Sequence, residues 1–174
     1  MKTKTERILA AMNVVCWIAF IGLCVQSGGI LVSYGVSVSN PEAAKHLFDK
    51  LDLYNLEQFD FWHYTLIVMF KAVIYALEAY VAYLLIKVLS VIKLSNPFTM
   101  EIALKLEKIS YFLFATWVTA MFYDLHMAWL AERVTGLEKN YNSGELLFMA
   151  GVVFAISQIF KKGVEIQSEN ELTV

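Results

Sequence analysis

The sequence predicts an all-α membrane protein. The expected fold is a bundle of four transmembrane helices with both termini cytoplasmic. Short amphipathic interfacial helices are expected in the first outer loop and before the third span. Three observations carry this. Hydrophobic residues make up 59% of the 174, where soluble domains sit near ~45–50%. Only 17% are charged, and those charges gather between long apolar runs. Finally, residues 61–89, FWHYTLIVMFKAVIYALEAYVAYLLIKVL, are long enough to cross a bilayer core, which needs ~20 apolar residues in a helix.

The chain begins with Lys2, Lys4 and Arg7, and no Asp, Glu, Lys or Arg then occurs from residue 8 to residue 41. A signal peptide has an apolar region of only about 7–15 residues, so this longer run is expected to be a retained first span, residues 8–36. Gly28 and Gly29 are expected to permit close packing there or to bend the helix. Cys16 and Cys24 lie eight residues apart on it, about 12 Å of rise, too far to bridge each other. Both are expected to be buried thiols. Asn40-Pro41-Glu42 is a helix-start signal: a capping side chain, then a proline where no amide partner is needed. Ala44, Leu47, Phe48 and Leu51 follow at helical spacing, then Leu53, Leu56, Phe59 and Trp62, which predicts one or two amphipathic helices at the interface.

The second span, residues 61–89, opens with Trp62 and Tyr64, as an aromatic belt requires. Ala72, Ala76, Ala79 and Ala82 form a small-residue stripe against which another helix can pack. Ser95-Asn96-Pro97 restarts a helix by the same capping logic. Phe98, Ile102, Leu106, Ile109 and Leu113 recur every three or four residues, with Lys105, Glu107 and Lys108 off the stripe. A surface amphipathic helix is therefore expected to run into a third span, residues 109–131. The fourth span, residues 145–161, has an apolar stretch of 15 residues. That reaches only about 22 Å, so Glu145, Lys161 and Lys162 are expected to snorkel. Gly151 and Ala155 give a further small pair for packing. A polar cytoplasmic tail, residues 162–174, closes what reads as a single membrane domain over residues 1–174.

Basic residues set the orientation. Nine Lys and Arg flank one set of span ends, four flank the other, and Lys71 lies within a span. The richer side is expected to be cytoplasmic, which suits an even number of crossings. The expected location is the cytoplasmic membrane, multi-pass. A net charge of -2 argues against direct nucleic-acid binding.

Charge within a bilayer is expensive and tends to face protein or water. Lys71, Glu78, Asp124 and His126 are the ionisable groups within the spans. Lys71 and Glu78 are seven residues apart, on one helical face, with Tyr75 between them. Lys71 lies about 13 Å below Trp62, and Asp124 about 10 Å below Ala131 on the neighbouring span. Those depths predict a Lys71–Asp124 ion pair. Glu78 falls near Thr116 and is expected to take a hydroxyl partner or a proton. The favoured role for this layer is to fix which helix packs against which; a proton or ion path and a ligand pocket are alternatives.

Asp124 and His126 are two apart and point about 200° from each other on a regular helix, so they cannot share one ion. No zinc-ligand spacing, C-x-x-C, H-E-x-x-H or phosphate-cradling glycine loop occurs. No metal, no cofactor and no catalytic residues are expected, and hence no enzyme.

Four blocks carry a resemblance: NLEQFDFWHY (55–64), LEAYVAYLLIKVLSVIKLSNPF (77–98), EIALKLEKISY (101–111) and GELLFMAGVVFAISQIFKKGVEIQSENELTV (144–174). They resemble the bacterial membrane-protein family called domain of unknown function 2975. The resemblance implies a small four-span inner-membrane protein of unassigned activity. It also implies a regulatory pairing, since such proteins are often encoded beside a small helix-turn-helix repressor of the Cro/CI type. The family often has a basic residue at the position of Glu78, so this chain departs from it there.

The expected function is that of a non-enzymatic membrane sensor or regulator acting with such a partner. Docking is expected through residues 93–108 and the tail, with Glu165, Glu169, Glu171 and Leu172 as contact residues. A small transporter or channel component using the charged layer, working as a homo-oligomer, is the alternative.

Overall fold

The computed structural model describes residues 4–46, 52–92, 97–137 and 143–171. Five α-helices account for most of them: α1 Lys4–Ser39, α2 Tyr54–Phe59, α3 Phe61–Val91, α4 Met100–Ala131 and α5 Gly144–Glu171. A 3₁₀ turn, Pro41–His46, follows α1. Among the described residues there is no strand.

The helix starts are set by side chains. Asp60 caps α3, its carboxylate accepting from the His63 amide at 2.9 Å. Thr99 caps α4 through the Ile102 amide. The expected cap at Ser95-Asn96 lies outside the described residues, and the helix begins downstream of Pro97. The Asn40-Pro41 signal yields a 3₁₀ turn instead of an α-helix, with the Ala43 amide bonded to the Asn40 carbonyl. Of the outer-loop stripe, Ala44, Leu53 and Leu56 are buried, whereas Phe59 and Trp62 are exposed; Leu47, Phe48 and Leu51 lie outside the described residues. The surface helix expected before the third span is not separate: it is the first turns of α4. The tail, likewise, is helical through Glu171, continuous with α5.

The four long helices run up and down in sequence. Tyr34 meets Thr65, Tyr80 packs at a tilt against Phe112, and Tyr111 lies against Phe154. Helix α1 packs on α3, α3 on α4, and α4 on α5; among the described residues no other pair of long helices packs along its length. They stand in a row, and the first and last do not close on each other.

The apolar packing has two centres. At the end of the row that carries α2, here the outer end, one cluster joins Ile30 of α1, Tyr64, Ile67, Val68 and Ala72 of α3, Met127 and Leu130 of α4, and Ala44, Leu53, Leu56 and Val134 from the connecting segments. An inner cluster joins Leu84 and Val88 of α3 to Ile102 and Ile109 of α4, with Val153 and Phe160 of α5 packed against it.

Helices α1, α3 and residues Gly144–Glu169 of α5 are long and apolar enough to cross a membrane. A helix apolar on all faces is either core or membrane span. Only Ile30 and Ser37 of α1 are buried, while Val15, Ile18 and Val32 are 64%, 67% and 69% exposed. Beyond its contact with α3 the chain leaves α1 uncovered, as it would a membrane-crossing helix. Helix α4 is equally long but less apolar, because Thr116, Thr119, Tyr123, Asp124 and His126 interrupt it.

Several packing expectations change. The α3 alanines do admit a neighbour: Ala72 and Ala79 are buried, and Ser27 of α1 donates to the Ala72 carbonyl at 3.0 Å. Gly28 faces open space, and α1 runs through it unbroken, so Ser27 makes the close contact. Gly151 and Ala155 are exposed; α5 turns Ala150 and Ser157 inward instead. Cys16 is half-buried and Cys24 is exposed, lining a groove with Phe20, Tyr80 and Tyr83.

Candidate functional site

Between the two apolar clusters α3 and α4 bring polar side chains together. The helices are antiparallel, so residues at equal depth have numbers that sum to a near-constant value. Lys71 of α3 therefore meets Tyr123 and Asp124 of α4. Its ammonium lies over the Tyr75 ring, 5.2 Å from the centroid, and over the Tyr123 ring at 5.6 Å. An ammonium over an aromatic face is attracted by the ring quadrupole.

Lys71 and Asp124 interact, but not as the expected ion pair. Among the described residues, Lys71 and Asp124 do not close to ion-pair distance. They interact electrostatically, and the Asp124 carboxylate lies beside the Ser143 hydroxyl, just ahead of α5. The Lys71 ammonium is instead held against the two tyrosine rings. Glu78, one and two turns deeper than Tyr75 and Lys71 on the same face, also feels the Lys71 charge. Its expected hydroxyl partner is otherwise engaged: Thr116 is fully buried and donates to the Phe112 carbonyl at 2.8 Å. Glu78 and Asp124 thus both lie within electrostatic reach of Lys71, which itself contacts Tyr75 and Tyr123.

A second cluster sits nearer the outer end. His63 Nδ1 and His126 Nε2 are 3.2 Å apart, and Trp129 flanks both rings, its centroid 5.3 Å from that of His63 and 5.8 Å from that of His126. The Arg133 guanidinium covers the Trp129 ring at 3.9 Å and donates to the Trp129 carbonyl. Sequence reasoning placed His126 within a span and did not connect it with His63. Neither the depth matching applied to Lys71 nor a search for ligand spacing along the chain pairs them, because His63 lies at the very start of its span and His126 five residues in from the end of its own.

At the inner end, Glu107 of α4 accepts from Lys161 of α5 at 2.7 Å and from Gln158 at 3.3 Å. The Lys161 ammonium beside it holds the Glu107 carboxyl below its usual range. Glu107 was expected on a solvated face; because α4 has neighbours on both sides, its off-stripe residues meet them. Of the expected docking residues, Glu165 and Glu169 are exposed on α5, and Glu165 pairs with Lys162 at 2.8 Å. The Glu171 side chain and Leu172 lie outside the described residues.

The family described as "Protein of unknown function (DUF2975)" matches residues 40–174. The chain belongs to the DUF2975 family. The matched region contains the 3₁₀ turn and α2 through α5, and with them every polar cluster described above; α1 precedes it. No curated protein and no solved structure matches this DUF2975 member. Among its described residues no group of three or more His, Cys, Asp or Glu converges as a metal site would.

Proposed function

We propose that the chain is a non-enzymatic, four-span protein of the bacterial cytoplasmic membrane, with both termini inside, that relays a membrane state to a small cytoplasmic helix-turn-helix regulator. One observation carries this: α5 is a single helix from Gly144 to Glu171. It continues past its apolar stretch as an exposed polar rod bearing Glu165 and Glu169. A rigid helix that leaves the bilayer carries displacement of its buried part to whatever docks on its end. Packing supports a fourth crossing: α4 lies along both α3 and α5. If those two span, α4 spans between them.

Two experiments test this. Single cysteines at positions 4 and 165, in a chain lacking Cys16 and Cys24, should react with a membrane-impermeant maleimide only after the membrane is opened. One at position 45 should react in intact cells. Labelling of positions 4 and 165 from outside would overturn the topology. Second, the regulator should co-purify with the chain and be lost on removing residues 164–174. Binding that survives the deletion would overturn the role of α5.

The second reading is a small transporter or channel component, and the Lys71, Glu78 and Asp124 layer favours it. Proteoliposome flux should then disappear in Lys71→Met/Glu78→Gln/Asp124→Asn. Equal flux in that variant would end this reading.

A further inference from the structure

The geometry points to a transition-metal site at the outer end of α3 and α4, in which His63 and His126 bind one divalent cation such as Cu(II) or Zn(II). It is independent of the regulatory reading above.

The argument is geometric. Metal–imidazole bonds of about 2.0–2.1 Å, at angles of about 90–110°, place the two ligating nitrogens about 2.9–3.4 Å apart. The separation of His63 Nδ1 and His126 Nε2 is 3.2 Å. These two nitrogens already face each other, with ring centroids 5.1 Å apart. An ion seated between them displaces their shared hydrogen bond and requires little backbone movement. The one inward proton shifts to the outer nitrogen of its own ring, so both rings stay neutral and present lone pairs.

The surroundings fit such an ion. Each ring comes from a long helix, and Asp60 fixes the start of α3 through the His63 amide. Both histidines are only part-buried, so water can complete the coordination. Carboxylates at Glu42, Asp52, Glu57 and Asp60 make the same end of the molecule acidic. The opposing charges among the described residues are Lys45, which is paired with Glu42, Arg133, which is stacked on the Trp129 ring, and Lys71, which lies about two turns deeper on α3. Two imidazoles with open water positions suit Cu(II) best in the usual order of affinities, with Zn(II) and Ni(II) weaker.

The test uses the full chain, purified in detergent without a histidine tag and stripped with chelator. Trp129 lies beside both rings, so binding of paramagnetic Cu(II) should quench it; Trp17, Trp62 and Trp117 are first changed to Phe to leave one reporter. One Cu(II) per chain should bind at micromolar concentration, with nitrogen couplings from two imidazoles in its electron paramagnetic resonance spectrum. His63→Gln and His126→Gln should each weaken binding at least tenfold and abolish the two-nitrogen signature. Helical circular dichroism and an unchanged elution volume confirm that each variant is folded. Conservative His63→Asn serves if His63→Gln is not. Quenching of equal strength in the His63→Gln/His126→Gln chain, or no binding by wild type, would overturn the proposal and leave a purely structural imidazole pair.

Discussion

Tyr64 donates its phenolic proton to Ser37 Oγ across 2.5 Å, because the Ser37 proton is already given to the Tyr34 carbonyl at 2.8 Å. Both residues are fully buried, so the pair fastens α1 to α3 away from water. Ser37→Ala leaves a buried phenol without its acceptor, which costs about 1–3 kcal/mol. Tyr64→Phe leaves Ser37 satisfied and should cost less. The double variant should be more stable than Ser37→Ala alone, since no orphaned hydroxyl remains. Thermal unfolding of all three in detergent checks the order.

Gly163 gives a prediction whose sign depends on its neighbour. A Cβ there would sit 2.7 Å from Phe98 Cδ1, and the Phe98 ring is itself packed against Phe160 with centroids 5.2 Å apart. Gly163→Ala gains up to about 1 kcal/mol of helix propensity but meets a clash costing about 1–3 kcal/mol. A net loss is expected in the wild-type chain. In a Phe98→Ala background the clash is gone and the same substitution should stabilise. Unfolding midpoints of the four chains measure this.

The Glu107–Lys161 bridge makes the α4–α5 contact sensitive to acid. The Glu107 carboxyl is held below its usual value of 4.5 in the folded chain. A depressed carboxyl stabilises the fold above the unfolded value, and that contribution fades as pH falls through the folded value. The stability advantage of wild type over Glu107→Gln should therefore be full at neutral pH and vanish below pH 4.5. Unfolding midpoints of both chains across that range check it.

Lys71 should report its tyrosine cage. A ring face contributes about 0.5–2 kcal/mol to a desolvated ammonium. Tyr123→Phe keeps the ring and should change stability less than Tyr123→Leu. Replacing Lys71 by Met should shrink the gap between those two variants. An unchanged gap in that background would mean that Tyr123 acts through packing alone.

Much of the architecture was legible because lipid imposes simple rules. Apolar run length and aromatic belts located α1, α3 and α5, and helical rise put Lys71 at the level of Asp124. What failed were inferences that needed a neighbour's position. Gly151 and Ala155 looked like a packing face, but α4 lies on the side of Ala150 and Ser157. Glu107 looked solvated because its partner, Lys161, lies on another helix. The histidine pair went unseen because its members are far apart in the chain and meet only through antiparallel register.

The divided core has a mechanical consequence. The flanking helix α1 is gripped by buried side chains only in its outer half, at Ile30 and Ser37. On the opposite flank, α5 joins the inner cluster through Val153 and Phe160. The two flanking helices are thus anchored toward opposite ends of the row, and among the described residues the amino-terminal part of α1, ahead of Ile30, is the longest helical stretch without a buried side chain.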